Sequence, residues 1–144
     1  MAEIMNFVFN SEVNQDYLNV SASVGKNGIN DKGDVLLVQA LLWEVLPKKY
    51  NVQYHELPLP TGTFDAKTAK LIKKYQTLNK QGKVSRDGLI NKATGRYVHG
   101  SRRLWTIVKL NDDLVELSLV RVDEVSPIQH LMNKFKELNL FVMA

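Results

Sequence analysis

The chain contains no cysteine. That excludes a disulfide framework, a thiolate metal site and a cysteine nucleophile, and it fits any redox compartment. No apolar run approaches the ~18 residues that a membrane-spanning helix needs, so membrane insertion is not expected. The first ten residues carry Glu3 but neither Lys nor Arg. Without a basic start and a long apolar core they do not read as a secretory signal. The expectation is a protein made in the cytoplasm, whose action in the periplasm or cell envelope would require a non-Sec export route. The three histidines, His55, His99 and His130, lie in separate segments with no metal-ligand spacing. A Gly-x-Ser-x-Gly elbow and a phosphate-cradling glycine loop are also missing, and Glu44 and Glu56 have no local acidic partner for glycosidase chemistry. The chain is therefore read as a non-enzyme, with no metal and no cofactor.

What is present suits a globular protein. Apolar residues make up 44% of the 144 and charged residues 24%. A chain of this mass buries roughly two-thirds of its unfolded surface, enough for one real core. Net charge is +4, and its placement is uneven. Residues 1–32 are acidic by two charges, residues 101–144 are balanced, and residues 33–100 hold eleven Lys or Arg against five acids. A basic middle points either to an anionic or polar polymer as partner, such as nucleic acid or cell wall, or to a solvated lysine face on a helix.

Hydrophobic spacing predicts the first helix after Asn30-Asp31-Lys32-Gly33-Asp34, with Val35, Val38, Leu42 and Val45 on its face and Pro47 at or just beyond its end. A loop with Pro58 and Pro60 follows. Asp65 caps a second helix whose apolar face is Thr68, Leu71, Ile72, Tyr75 and Leu78, stopped by Gln81-Gly82-Lys83. A third, shorter helix is expected from Asn91 to about Val98. Beyond it, Leu104–Leu110 and Leu114–Val122 are rich in β-branched and apolar residues and flank Asn111-Asp112-Asp113, which predicts a β-hairpin. Ser126-Pro127 starts a last helix carrying Ile128, Leu131, Met132, Phe135 and Leu138. Phe7–Phe9 and Leu140–Met143 are expected as short edge strands. Trp43, which cannot face the core squarely beside Leu42, is either a partner surface or, the favoured reading, a contact with the C-terminal layer, with Trp105 as its mate.

One short stretch repeats. Gly62-Thr63-Phe64-Asp65-Ala66-Lys67-Thr68 aligns with Gly88-Leu89-Ile90-Asn91-Lys92-Ala93-Thr94. Each has Gly for a turn, a large apolar residue, an Asp or Asn cap, and Thr placed to bond back to the cap. Two similar helix starts would explain this without any function.

Together with Gly33-Asp34-Val35-Leu36-Leu37-Val38-Gln39-Ala40-Leu41-Leu42, the aromatic-Gln pair Tyr75-Gln76 and Asp87-Gly88, the pattern resembles the peptidoglycan-binding domain family. The resemblance spans about residues 21–99. The Gly-Pro usual in that family is replaced by Asp65-Ala66 and Asn91-Lys92, and the loop between the first two helices is longer. The stretch 23–30 resembles the lead-in of such domains in phage and contractile-secretion proteins. The resemblance implies an α+β fold made of a three-helix module at 21–100, preceded by an N-terminal strand or extension at 1–20 and followed at 101–144 by a β-hairpin plus helix packed on it. It implies non-catalytic binding of peptidoglycan, through glycan or stem peptide, to anchor or target a larger assembly at the cell wall. The alternative is a protein–protein adaptor or structural component of a phage or secretion machine, with the same fold and no wall binding. Nucleic acid is the least favoured partner. Aromatic faces stack on sugars, and planar polar groups pair with hydroxyls and amides. On that chemistry Tyr54, Tyr75, Gln76, Arg86, Asp87 and Arg96 are the ligand-binding candidates, Tyr75 being also a residue of the apolar helix face.

Overall fold

The computed structural model describes residues 2–8, 14–57, 59–79, 83–118, 127–135 and 142–143. The described residues form four α-helices and two small sheets, an α+β arrangement. Helix α1 (Lys32–Tyr50) is the centre of the core. Residues 33–42 and 44–46 are all buried, the pattern of a helix enclosed on every side. Asp31 caps it, accepting from the Gly33 and Asp34 amides at 3.1 and 3.3 Å. Pro47 was expected to end α1 but lies within it. The helix runs one turn further because its end is tied down. Asn51 takes a left-handed conformation at the C-terminus, the Val52 amide returns to the Leu46 carbonyl at 3.1 Å, and Lys49 and Tyr50 are anchored by Asp113.

Helix α2 (Ala66–Leu78) follows its predicted face. Thr68, Leu71, Ile72, Tyr75 and Gln76 are buried, and Asp65 caps it by accepting from the Thr68 amide at 2.7 Å and hydroxyl at 2.6 Å. It ends at Asn79, whose side-chain amide donates to the Tyr75 carbonyl at 2.9 Å. Residues 81 and 82 of the expected stop signal lie outside the described residues.

Two expectations are overturned. Residues 91–98 form no helix, and 104–118 form no hairpin. The third long helix is α3 (Thr106–Ser118), packed against α1. Ile107, Leu110 and Leu114, three and four residues apart, share one face of a helix but not of a strand, and all three are buried. Asn111, Asp112 and Asp113, expected as a turn, are a polar seam in mid-helix. Asn111 donates to the Ile107 carbonyl at 2.8 Å and pairs with both backbone groups of Leu18, at 2.9 and 3.0 Å. Residues 119–122 of the expected second strand lie outside the described residues. Helix α4 (Pro127–Lys134) starts where expected and stops short of Phe135, with Leu131 buried and Lys134 ion-paired to Glu44 of α1 at 2.5 Å; Ser126 and Leu138 of the expected helix lie outside the described residues.

In the larger sheet β1 (Ala2–Val8) is the middle strand. It lies antiparallel to β2 (Asn14–Asn19) and parallel to β5 (Val142–Met143), in the order β2-β1-β5. The N-terminal strand is thus central rather than an edge, because two partners flank it. The smaller sheet pairs β3 (Val24–Gly25) with β4 (Leu89–Ile90), antiparallel. Asn19 extends this seam by pairing with both the amide and the carbonyl of Ala93, at 3.0 and 2.9 Å.

A buried acid joins the helices. Asp113 is fully buried and accepts from Lys49 at 2.6 Å, Tyr75 at 2.6 Å, Tyr50 at 3.0 Å and Lys109. Burial pushes its pKa up, but Lys109, Lys49 and Tyr75 outweigh that and hold the carboxyl below its ordinary range.

Candidate ligand pocket

The sequence repeat has a structural meaning. On α1, Gln39 accepts from the Gly62 amide at 2.9 Å and donates to the Thr63 carbonyl and the Thr68 hydroxyl, both at 3.0 Å. On α2, Gln76 accepts from the Gly88 amide at 2.8 Å and donates to the Leu89 carbonyl at 2.9 Å and the Thr106 hydroxyl at 3.1 Å. Both Gly62 and Gly88 have positive φ, 82° and 73°. In each copy a buried glutamine on one helix clamps the turn that leads to the next and a threonine at that next helix's start.

The copies differ in timing. After Gly62, α2 begins within four residues. After Gly88 the helix is delayed to Thr106, and Thr106 takes the place that Thr94 holds in the sequence alignment. Asn91, expected as a cap, instead continues from β4 and accepts from the Ser23 hydroxyl at 2.6 Å. The residues in between fold back as a small hairpin. Tyr97 bridges Leu104, the Val98 amide reaches the Arg103 carbonyl at 2.8 Å, and the Leu104 amide reaches the Lys83 carbonyl at 2.8 Å.

This delay opens a pocket of about 170 Å³ between the Gly88 turn, the hairpin and the start of α3. Ser85, Asp87, Asn91 and Thr106 give it polar walls, and Leu89, Val98, Leu104 and Trp105 apolar ones. Asp87 accepts from the Leu89 amide at 3.0 Å and from Gln76 at 3.3 Å through one carboxylate oxygen. The Trp105 indole N–H is buried and has no hydrogen-bond partner among the described residues, an omission that costs about 1–3 kcal/mol unless a water or ligand supplies an acceptor.

The six candidate residues separate into groups. Asp87 lines the pocket, and exposed Arg86 stands beside it in the chain. Gln76 is fully buried and shapes the Gly88 turn from behind. Tyr75 is fully buried and its hydroxyl is spent on Asp113, so it offers a ligand no surface. Arg96 grips Asp112 with two bonds of 2.8 and 3.3 Å, and Tyr17 donates to the same carboxylate. Tyr54 is exposed on the α1–α2 loop, packed against Trp43 at 5.7 Å between ring centroids, and does not line the pocket. Trp43 therefore has Tyr54 as its ring partner, and Trp105, expected as its mate, lines the pocket instead. Trp105 is the residue that sequence reasoning missed as a site residue. Its signal, a Trp directly before a helix-starting Thr, was hidden by reading 104–110 as a strand.

Among the described residues no three His, Asp or Glu side chains gather as a metal site would need. No described helix is long and apolar enough to cross a membrane. No family model, no curated protein and no solved structure matches this chain significantly.

Proposed function

We propose that the chain is a non-catalytic module that binds peptidoglycan and so anchors or targets a larger assembly at the cell wall. The observation that carries this reading is the pocket at the Gly88 turn. Its walls mix acceptors and hydroxyls with the Trp105 ring and other apolar side chains, the combination that a sugar substituent or peptide amide requires. Pockets for whole small molecules usually measure about 300–1,000 Å³. At about 170 Å³ this one suits a single group projecting from a polymer. One such contact is weak, so useful retention depends on several copies acting together.

The test is retention on purified insoluble sacculi at two salt concentrations. Wild type is expected to be retained at both. Trp105→Phe, which replaces the indole by a smaller ring, and Asp87→Asn are each expected to bind about tenfold more weakly, as for the loss of one ~1–1.5 kcal/mol contact. Wild-type protein that washes off at both salts would sink the reading. The second reading, a protein–protein adaptor of a phage or secretion assembly, is favoured by Leu59 and Tyr54 on the α1–α2 loop, 70% and 52% exposed. Loss of retention in Tyr54→Ala, with Trp105→Phe unaffected, would move the binding surface to that loop.

A further inference from the structure

The hairpin that walls the pocket lies in a strongly cationic stretch of the chain. From Lys83 to Arg103 there are six Lys or Arg and one acid, Asp87. Two of the six are used internally, Arg96 by Asp112 and Lys92 by Glu3 at 3.1 Å. Lys83, Arg86, Arg102 and Arg103 are exposed, and their side chains make no ion pair or hydrogen bond among the described residues. None of the four lines the pocket, but the backbone places each next to a residue that does. Lys83 is bonded to pocket-lining Leu104, Arg86 sits between pocket-lining Ser85 and Asp87, and Arg102 and Arg103 immediately precede Leu104. The turn that carries the two arginines is well tied. The Ser101 amide and hydroxyl both donate to the Val98 carbonyl, at 3.0 and 2.9 Å, and the Arg103 amide donates to the Ser101 hydroxyl at 3.2 Å. Four exposed cations carried on the backbone that borders one small pocket give its surroundings a positive field that draws anions.

We infer that this rim selects carboxylate-bearing segments: on the wall, the stem peptide rather than the neutral glycan. The inference rests on the wall-binding reading. A stem peptide offers amides for the pocket and carboxylates for the arginines, whose planar donors match a carboxylate in pairs. The hairpin holds them near their bound position, which lowers the ordering cost of binding.

The experiment compares native sacculi with sacculi whose carboxylates have been capped as methylamides. Capping is expected to weaken wild-type binding about five- to tenfold, the range for losing two exposed ion pairs. The variant R102Q/R103Q is expected to bind native sacculi as weakly as wild type binds capped sacculi, and to lose nothing more on capping. All four cations are exposed, so its thermal midpoint should match wild type, which separates lost binding from lost folding. Equal wild-type binding to both sacculi overturns the selection while leaving the wall reading in place. So does R102Q/R103Q that keeps full sensitivity to capping, which would assign the charge effect to the lysines of α2. Binding to neither preparation removes the wall reading as well. Tighter binding to a DNA duplex than to native sacculi overturns both in favour of nucleic acid.

Discussion

Gln39 and Gln76 each satisfy one amide, one carbonyl and one hydroxyl at a helix start, with all their bonds inside the protein. Gln76→Ala leaves the Gly88 amide and Leu89 carbonyl without this partner and is expected to cost ~1–3 kcal/mol in denaturant unfolding. Of the two turn glycines, Gly62→Ala should be the costlier. Both have positive φ, but a Cβ at Gly62 would stand 2.7 Å from Lys32 Cγ, whereas at Gly88 the nearest atom is 4.0 Å away. Asp113 makes the sharpest residue-scale case. Asp113→Ala strands Lys109 and the hydroxyl of Tyr75 in the core, and the expected loss is ~3–5 kcal/mol. Its folded pKa lies below the ordinary 3.8. The stability it confers is therefore complete above pH 3.8 and is lost as pH falls through the lower folded value. At the other extreme burial and the charge of Asp113 push Tyr50 up to about 12. That contribution is complete below pH 10 and lost as pH rises through 12. Thermal midpoints measured against pH should show both flanks, and Asp113→Asn should flatten the acid one.

Helix α3 is the element on which sequence and structure part most. The segment 104–110 has strand-like composition and is followed by three residues of turn chemistry. In isolation both cues favour a hairpin. The helix wins because it buries Ile107, Val108, Leu110 and Leu114 in the shared core while its polar seam finds partners. Asn111 pairs with β2, Asp112 with Arg96 and Tyr17, and Asp113 with α1 and α2. A proline scan tests this directly. Asp112→Pro would be accepted in a hairpin turn, but within α3 it removes a backbone bond and is expected to cost ~3 kcal/mol or more in thermal unfolding. The shift of the helix start from Asn91 to Thr106 is legible only afterwards, because Gln76 has two threonines downstream of Gly88 to choose from and the sequence spacing favours the nearer.

At the scale of the whole molecule, α1 sits under everything else. Helices α2 and α3 pack on it, Glu44 ties it to α4, and Asp34, buried, ties it to the lead-in through the Ser21 amide at 2.9 Å and the Ala22 amide at 3.0 Å. Helix α3 supplies Ile107, Val108, Leu110 and Leu114 to the core that the first two helices share. A chain cut after residue 100 would expose one side of α1. It is expected to unfold without cooperativity, which a broad, shallow thermal transition against the sharp one of the full chain would show.

Helix α2, its cap and most of its buried face, the start of α1 with its apolar stripe, and the start of the last helix follow from the sequence alone, since each is specified within about a dozen contiguous residues by cap chemistry and period. The two matching glycine turns were also visible, and with them Asp87 at the edge of the site. Only the tertiary structure decided that 104–118 is a helix, that the first strand is central, that Tyr75 and Arg96 face inward, and that a small hairpin walls a pocket at Trp105. Those outcomes depend on which partner each residue meets across the fold, and the local pattern is the same whether or not that partner is there.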